Sequence, residues 1–316
     1  MTKNILFMGT PDFAVPVLQS LINSEYHVIG VVTQPDRPVG RKKILTPSPV
    51  KVEALKHHIP VFQPEKLSAS PELEQLLTLN IDLIVTAAYG QFLPSCLLNH
   101  PTHRSINVHA SLLPKYRGGA PIQYALMNGD EQTGVSIMYM EKKMDAGDIL
   151  AQKAIPILET DTVSTLFDKL SQLGSLLLIE TLPKLFARQI EAIPQDERLV
   201  TFSPALKREE ELMDWHQTAQ QLNWKIRAMN AWPGAYTYLN GERFKIWEAV
   251  PVLDIKDHDK TVGTVLSCNH ELYVACGHGT VLSLREVQPA GKAKMSIQQY
   301  LNGAGKQLQE GVQFGN

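Results

Sequence analysis

Cysteine is scarce in this chain. Its 316 residues include only Cys96, Cys268 and Cys276, an odd number at spacings that form neither a disulfide framework nor a Cys-x-x-Cys metal or redox pair. A reducing, cytoplasmic compartment is the expectation. No stretch of about 18 apolar residues occurs, so no segment is expected to span a membrane. The opening MTKNILFMGT runs straight into an apolar strand, without the hydrophobic core of a signal peptide. An excess of either charge is also missing. Thirty Lys and Arg against 32 Asp and Glu leave a net charge of −2, which excludes a protein that grips a polyanion through bulk positive potential. Any such site must be local. After the first strand, Met-Gly-Thr-Pro-Asp-Phe lacks the Gly-x-Gly-x-x-Gly turn, which counts against a dinucleotide-binding dehydrogenase.

What is present is ample material for folding, with 44% hydrophobic and 20% charged residues. Single cores stop growing near ~250 to 300 residues, so two are expected. Lys3 to Met8 reads as a buried strand, followed by Ala14, Val15, Leu18, Leu21 and Ile22 at helical spacing. Val28 to Thr33 and Ile81 to Ala87 are further apolar strands, with helices predicted over Val50 to His58 and Pro71 to Leu79. Ser105 to His109 is the next strand, then Gly134 to Met140 and Ile149 to Ile157 as a pair, then a long amphipathic helix from Thr160 to Ala187. This alternation predicts an α/β, doubly wound, mainly parallel Rossmann-like sheet, with ligands at the carboxyl ends of its strands. The pattern loses its period near Glu191 to Arg208. Beyond it come a helix over Trp215 to Met229 and five short strands: Ala235 to Leu239, Phe244 to Val250, Thr261 to Ser267, Glu271 to Ala275 and Val281 to Val287. These predict a smaller OB-like β-barrel. The domain expectation is 1–190, a linker at 191–208, and 209–316.

The sharpest local feature is Ser-Ile-Asn-Val-His-Ala-Ser-Leu-Leu-Pro at 105–114. Side chains alternate along a strand, so Ile106 and Val108 can enter a core while Asn107 and His109 share the other face roughly 7 Å apart. An amide N–H that steadies an oxyanion and an imidazole that moves a proton would divide an acyl-transfer task. The plain alternative is a polar pair that fastens a loop. A carboxylate should orient the imidazole, and both Asp145 and Asp148 in Lys-Met-Asp-Ala-Gly-Asp lie in a suitable turn. Physics alone does not choose between them. Ser111 as a nucleophile is disfavoured because its segment has no Gly-x-Ser-x-Gly elbow. No metal is expected, since His109 has no second His at helical spacing and Asn is a poor ligand.

These blocks resemble the methionyl-tRNA formyltransferase family over essentially the whole chain. The resemblance rests on Phe-Met-Gly-Thr-Pro-Asp-Phe-Ala, on Gln-Pro-Asp-Arg-Pro-Val-Gly-Arg-Lys-Lys with Pro-Ser-Pro-Val-Lys, and on Ala-Tyr-Gly-Gln-Phe-Leu-Pro. It is completed by Asn-Val-His-Ala-Ser-Leu-Leu-Pro-Lys-Tyr-Arg-Gly-Gly-Ala-Pro-Ile and Met-Asp-Ala-Gly-Asp. It implies a catalytic trio of Asn107, His109 and Asp145, choosing Asp145 over Asp148. It also implies a 10-formyltetrahydrofolate co-substrate beside Ala87, Tyr89, Gly90, Gln91 and Phe92 and beside Ser111, Leu112, Leu113 and Pro114. Phe92 replaces the family's usual aliphatic residue.

From charge alone, the segment with Arg37, Arg41, Lys42, Lys43 and Lys51 against a single acid, Asp36, reads most simply as solvated loop. The resemblance implies that Arg37, Arg41, Lys42 and Lys43 touch the acceptor stem of methionyl initiator tRNA, the loop being mobile until bound. It further implies a formyltransferase catalytic domain, a tRNA-binding barrel and a monomer. A formyltransferase for an amino-sugar nucleotide is the nearest rival, and a catalytically silent RNA-binding module is another.

Overall fold

The computed structural model describes residues 2–40, 42–255 and 259–315. The chain forms two compact units. The first comprises Met1–Pro121, Gln132–Pro156 and Phe167–Ala205, and the second Ile122–Glu131, Ile157–Leu166 and Leu206–Asn316.

In the first unit, strands β1 (Asn4–Gly9), β2 (His27–Val32), β5 (Val61–Phe62), β6 (Leu83–Ala87), β7 (Ser105–His109), β8 (Gln132–Tyr139) and β9 (Ile149–Pro156) form one sheet in the order β5-β2-β1-β6-β7-β8-β9. The pairs from β5 to β7 are parallel, and β8 and β9 join antiparallel. Ile5, Leu6, Phe7 and Met8 are all fully buried, the mark of a central strand covered on both faces. Strand order reverses between β1 and β6, where Gly9 pairs with Ala87. A side chain at Gly9 would lie 2.9 Å from the Ala87 carbonyl and 2.7 Å from Ala14 Cβ, so glycine is what lets this crevice close up. Ligands in open α/β sheets sit at such reversals.

The helices begin where local chemistry dictates. Ser48 and Ser70 accept the Lys51 and Leu73 N–H groups, each followed by proline at the first helical position. The predicted helices accordingly run Pro49–Lys56 and Pro71–Thr78. Helix Ala14–Ile22 buries Ala14, Val17, Leu18 and Leu21 at helical spacing. In helix Val163–Phe186, Gly174 passes so close to β7 that a Cβ would lie 2.8 Å from Val108 Cγ1. The proline-rich basic segment, read as irregular loop, contains a short hairpin pairing β3 (Arg37–Val39) with β4 (Ile44–Thr46). Among the described residues no helix is long and apolar enough to cross a membrane.

Glu53 is a buried acid held by Gln19 Nε2 at 2.9 Å and Lys56 Nζ at 2.8 Å. The Lys56 bond, then the Gln19 bond, hold its carboxyl below the usual range. A depressed folded-state pKa adds stability that is present above the unfolded value of ~4.3 and is lost as pH falls through the folded value. Glu53→Gln is expected to cost about 1–2 kcal/mol at pH 7. The gap to wild type should narrow as pH falls below the unfolded value of ~4.3, measured by denaturant melts across pH. An equal gap at pH 3 and pH 7 would assign the loss to packing.

In the second unit, β10 (Tyr236–Leu239), β11 (Glu242–Val252), β14 (Val281–Pro289), β13 (Leu272–Ala275) and β12 (Val265–Ser267) follow one another antiparallel. The C-terminal segment closes this curled sheet. Phe314 N–H donates to Gly263, Gly315 N–H to Tyr238 and Val265 N–H to Val312, so the tail bridges the two edge strands into an OB-like barrel. Helix Ala219–Met229 starts later than predicted because Thr218 and Gln221 form a capping box. Trp215 enters the barrel core instead and donates its indole N–H to Thr237 Oγ1 at 3.0 Å.

Candidate active site

Strand β7 supplies two polar groups at its carboxyl end, next to the crevice between β1 and β6. Ile106 and Val108 are buried, while Asn107 and His109 share the opposite face. His109 is itself buried, with Nε2 2.9 Å from the Tyr116 carbonyl oxygen. A carbonyl only accepts, so Nε2 carries the hydrogen and Nδ1 is the nitrogen left to exchange a proton. Nδ1 lies 3.7 Å from Asp145 Oδ2. That is ion-pair distance but beyond a direct hydrogen bond, so a proton on Nδ1 remains available to a third group.

Asp145 lies in the β8–β9 connection with φ +47°, a left-handed conformation uncommon for a residue with a side chain. Its Oδ2 accepts the Gly118 N–H at 2.9 Å. Gly118 has φ +128° and approaches the Ser203 carbonyl so closely that a Cβ would sit 2.5 Å from it. Asp148 instead continues the sheet, its backbone carbonyl accepting Tyr139 N–H. Asn107 Oδ1 lies 2.7 Å from Thr86 Oγ1. With that hydroxyl as donor, the carbonyl end of the amide is occupied and Nδ2 becomes the donor turned to the site.

The following loop is tied down by hydroxyls. Ser111 is buried and donates to the Lys115 carbonyl at 2.7 Å, Ser136 donates to the Ser111 carbonyl at 2.7 Å, and Leu113 N–H donates to Ser136 at 3.1 Å. A hydroxyl hydrogen given to a backbone carbonyl suits an anchor rather than a nucleophile. Leu112 and Pro114 are half-buried and Leu113 is buried. Beyond β6, Ala87 is buried, Gly90 is exposed with φ +91°, and Phe92 is 67% exposed. Tyr89 belongs to the core, where burial pushes its hydroxyl up to about 12. Gln91 bridges loops through Gln34, Pro64 and Leu67.

Residues 195–203, which carry no sequence signal, brace the site through Tyr116 and Arg117 of the 107–122 block. Arg117, fully buried, donates Nε and Nη2 to Gln195 Oε1 at 3.0 and 2.9 Å and Nη2 to Glu197 at 3.0 Å. Tyr116 N–H donates to Thr201 Oγ1 at 2.9 Å, and Ser203 Oγ donates to the Tyr116 carbonyl at 3.0 Å. Residues 193–203, read from sequence as linker, thus lie against the first unit's site. The partners just named are 78 to 87 positions away, beyond the reach of any local pattern.

In the basic hairpin, Arg37 is paired with Glu65 at 2.6 Å and Lys51 with Asp36 at 2.8 Å. The Gln63 bond, then Lys51, lower the Asp36 carboxyl. Lys42 and Lys43 are exposed, with no carboxylate partner among the described residues; Arg41 lies outside them. Val39, Ile44 and Leu45 are exposed beside them. In the second unit most basic side chains are committed locally. Arg227 donates to the Asp161 and Leu158 carbonyls, Lys225 to the Leu212 carbonyl and Lys245 to the Pro233 carbonyl, while Arg243 pairs with Glu211 and Lys294 with Glu286. Trp224 packs on Gly129 and Trp247 donates to Gln288, whereas Trp232 is 80% exposed.

Residues 3–182 match the family described as formyl transferase, and residues 205–305 match the formyl transferase C-terminal domain. The methionyl-tRNA formyltransferase of Enterococcus faecalis is 54% identical over 311 residues, covering 98% of both chains. That of Levilactobacillus brevis is 56% identical over 311 residues, with the same coverage. Solved structures share the fold at low identity. The sugar 3N-formyl transferase WlaRD, solved with dTDP and 5-N-formyl-THF, matches with a TM-score of 0.67 at 17% identity, over 93% of this chain and 99% of its own. An N-formyltransferase from Helicobacter canadensis, in complex with folinic acid and dTDP-3-aminofucose, matches with a TM-score of 0.68 at 17% identity, over 92% and 100%. With both domain models matched in order and relatives above half identity end to end, the chain belongs to the formyl transferase family and, within it, to the methionyl-tRNA formyltransferases.

Proposed function

We propose that the protein, acting in the cytoplasm, transfers the formyl group of 10-formyltetrahydrofolate to the α-amino group of methionine esterified to initiator tRNA, using Asn107, His109 and Asp145. One observation supports this most directly. His109 is pinned through Nε2 to the Tyr116 carbonyl and turns Nδ1 toward Asp145 at 3.7 Å, on the strand face that also bears Asn107. Folate supplies an activated formyl carbon, so no enzyme nucleophile is required.

The α-amine has a reference pKa of ~7.7 to 8.0 and is partly neutral at physiological pH. As it attacks the formyl carbon, the carbonyl oxygen gains charge, and the Asn107 amide N–H and a proton on His109 Nδ1 stabilise it. The new ammonium loses a proton to Asp145, directly or through water, while His109 relays one to the departing folate nitrogen. The amine has lost one proton and the folate has gained one. The segments Ala87 to Phe92 and Ser111 to Pro114 flank the folate. With Tyr89 and Gln91 committed elsewhere, the exposed backbone at Gly90 and the apolar faces of Phe92 and Leu112 are what a planar ring would meet.

Arg37, Arg41, Lys42 and Lys43 are assigned to tRNA phosphates. Lys42→Ala and Lys43→Ala should each weaken tRNA binding about 3- to 10-fold and flatten the salt slope by about one unit. Arg37→Ala should do less, because Glu65 already neutralises it. Titrations that retain the wild-type salt slope in both lysine variants would remove this assignment. The acceptor itself is tested by offering methionyl initiator tRNA, methionyl elongator tRNA and an amino-sugar nucleotide to one preparation. Preferred formylation of the first supports the proposal, and preferred formylation of the sugar would replace it.

A further inference from the structure

We propose that Gln195 is a positioning residue of the transfer site, so that the segment after the catalytic sheet sets the geometry of Asp145. The inference rests on the functional reading above but concerns a residue that falls between the two matched family stretches, 3–182 and 205–305.

The carboxamide of Gln195 is held from both ends. Its Oε1 accepts two N–H groups from fully buried Arg117, at 3.0 and 2.9 Å. Those two bonds leave Nε2 as the donor end, and it gives both hydrogens to one turn, to the carbonyls of Asp145 and Gly147, each at 2.8 Å. This turn needs holding. Asp145 is left-handed at φ +47°, and Gly147 is pressed so close to β8 that a Cβ would lie 1.9 Å from the Tyr139 carbonyl. A left-handed residue bearing a side chain persists where its surroundings over-determine it. On the side-chain side, the bond from Gly118 N–H to Oδ2 restrains it. Gln195 is the matching restraint on the backbone side.

Removing it leaves two turn carbonyls without their donor and lets the Asp145 carboxylate drift from its 3.7 Å approach to His109 Nδ1. The same segment also touches the other partner of His109. Thr201 and Ser203 hold Tyr116, whose carbonyl accepts Nε2. Gln195 therefore acts through Asp145 and touches neither substrate.

Gln195→Glu is the discriminating variant. Its carboxylate still accepts from Arg117 but turns an acceptor toward two carbonyls. Displacement of a catalytic group by about 1 Å can cost 10²-fold, so kcat for formyl transfer to methionyl initiator tRNA should fall about 10- to 100-fold. Both KM values should stay within about threefold, because no substrate contact is lost. The loss should nearly vanish when Asp145 is already Asn, since the residue through which Gln195 acts is then disabled. Arg198→Ala, which removes an exposed pairing with Asp196 in the same segment, should leave kcat unchanged. Gln195→Met, of similar volume but without either bond, repeats the test if the glutamate variant fails to fold.

Wild-type kcat in Gln195→Glu, a KM rise that accounts for the whole effect, or an equal loss in the Asp145→Asn background overturns the proposal and leaves the functional reading standing. Unfolding of both Gln195 variants makes the segment a stability element and overturns it too. A wild-type enzyme with no formyl transfer overturns the functional reading along with it.

Discussion

Replacing His109 or Asn107 by alanine is expected to lower kcat for formyl transfer by about 10²- to 10³-fold, the usual cost of one oxyanion donor. The physical reason differs between the two. Asn107 contributes a neutral N–H whose direction follows from Thr86 occupying the carbonyl end of the amide at 2.7 Å. His109 contributes a proton at Nδ1, because the Tyr116 carbonyl holds Nε2–H at 2.9 Å. His109→Ala should fall at or beyond the upper end, since it removes both a donor and a relay. Michaelis constants should move little, as each interaction strengthens only when the oxygen becomes charged. Turnover within a few-fold of wild type in either variant would send the polar pair back to fastening the loop.

Asp145→Asn is expected to cost about 10²- to 10⁴-fold, the contribution of a positioned general base. The change is isosteric, so it tests charge rather than shape. Oδ2 has two neighbours with different demands: Gly118 N–H at 2.9 Å needs an acceptor, and His109 Nδ1 at 3.7 Å needs a negative charge when it is protonated. Asparagine can keep its oxygen on Gly118, which preserves the turn and forfeits the charge, or reverse, which sets N–H against N–H. Either way the amine loses its proton acceptor. The residual rate should then rise with pH as the amine, with a reference pKa of ~7.7 to 8.0, deprotonates unaided. Steady-state rates between pH 6 and pH 9 check this, and a residual rate independent of pH would move the proton to another acceptor.

Much of this was readable from one sequence because it depended on local rules. Alternation in Ser105–His109 put Asn107 and His109 on one face of a strand whose other face is buried. Helices expected from Val50 and Pro71 are found within a residue of those starts, capped by Ser48 and Ser70. Five short strands between glycine-bearing turns pointed to the barrel, and all five are present. The parts that stayed hidden depend on partners far along the chain. Asp145 and Asp148 share a turn, and what separates them is that one oxygen reaches Gly118, 27 positions away. Closure of the barrel by Val312 to Gly315 needs both edge strands in place before the tail has anything to bond. Gln195 looked like linker because its segment has no hydrophobic period. Its order comes from backbone and side-chain bonds to Arg117, Tyr116 and the Asp145 turn rather than from a buried stripe. Tyr89 lay within a stretch assigned to folate, yet its ring joins the core.

The account rests on His109 and Asp145 acting as one unit on the formyl carbon. Single-turnover transfer to methionyl initiator tRNA by wild type, His109→Ala, Asp145→Ala and the double variant tests that directly. Groups that act together lose their effect once, so the double variant should be no more than about fivefold slower than the slower single variant. Losses that multiply would show two residues working independently, and a double variant as fast as wild type would place the chemistry elsewhere.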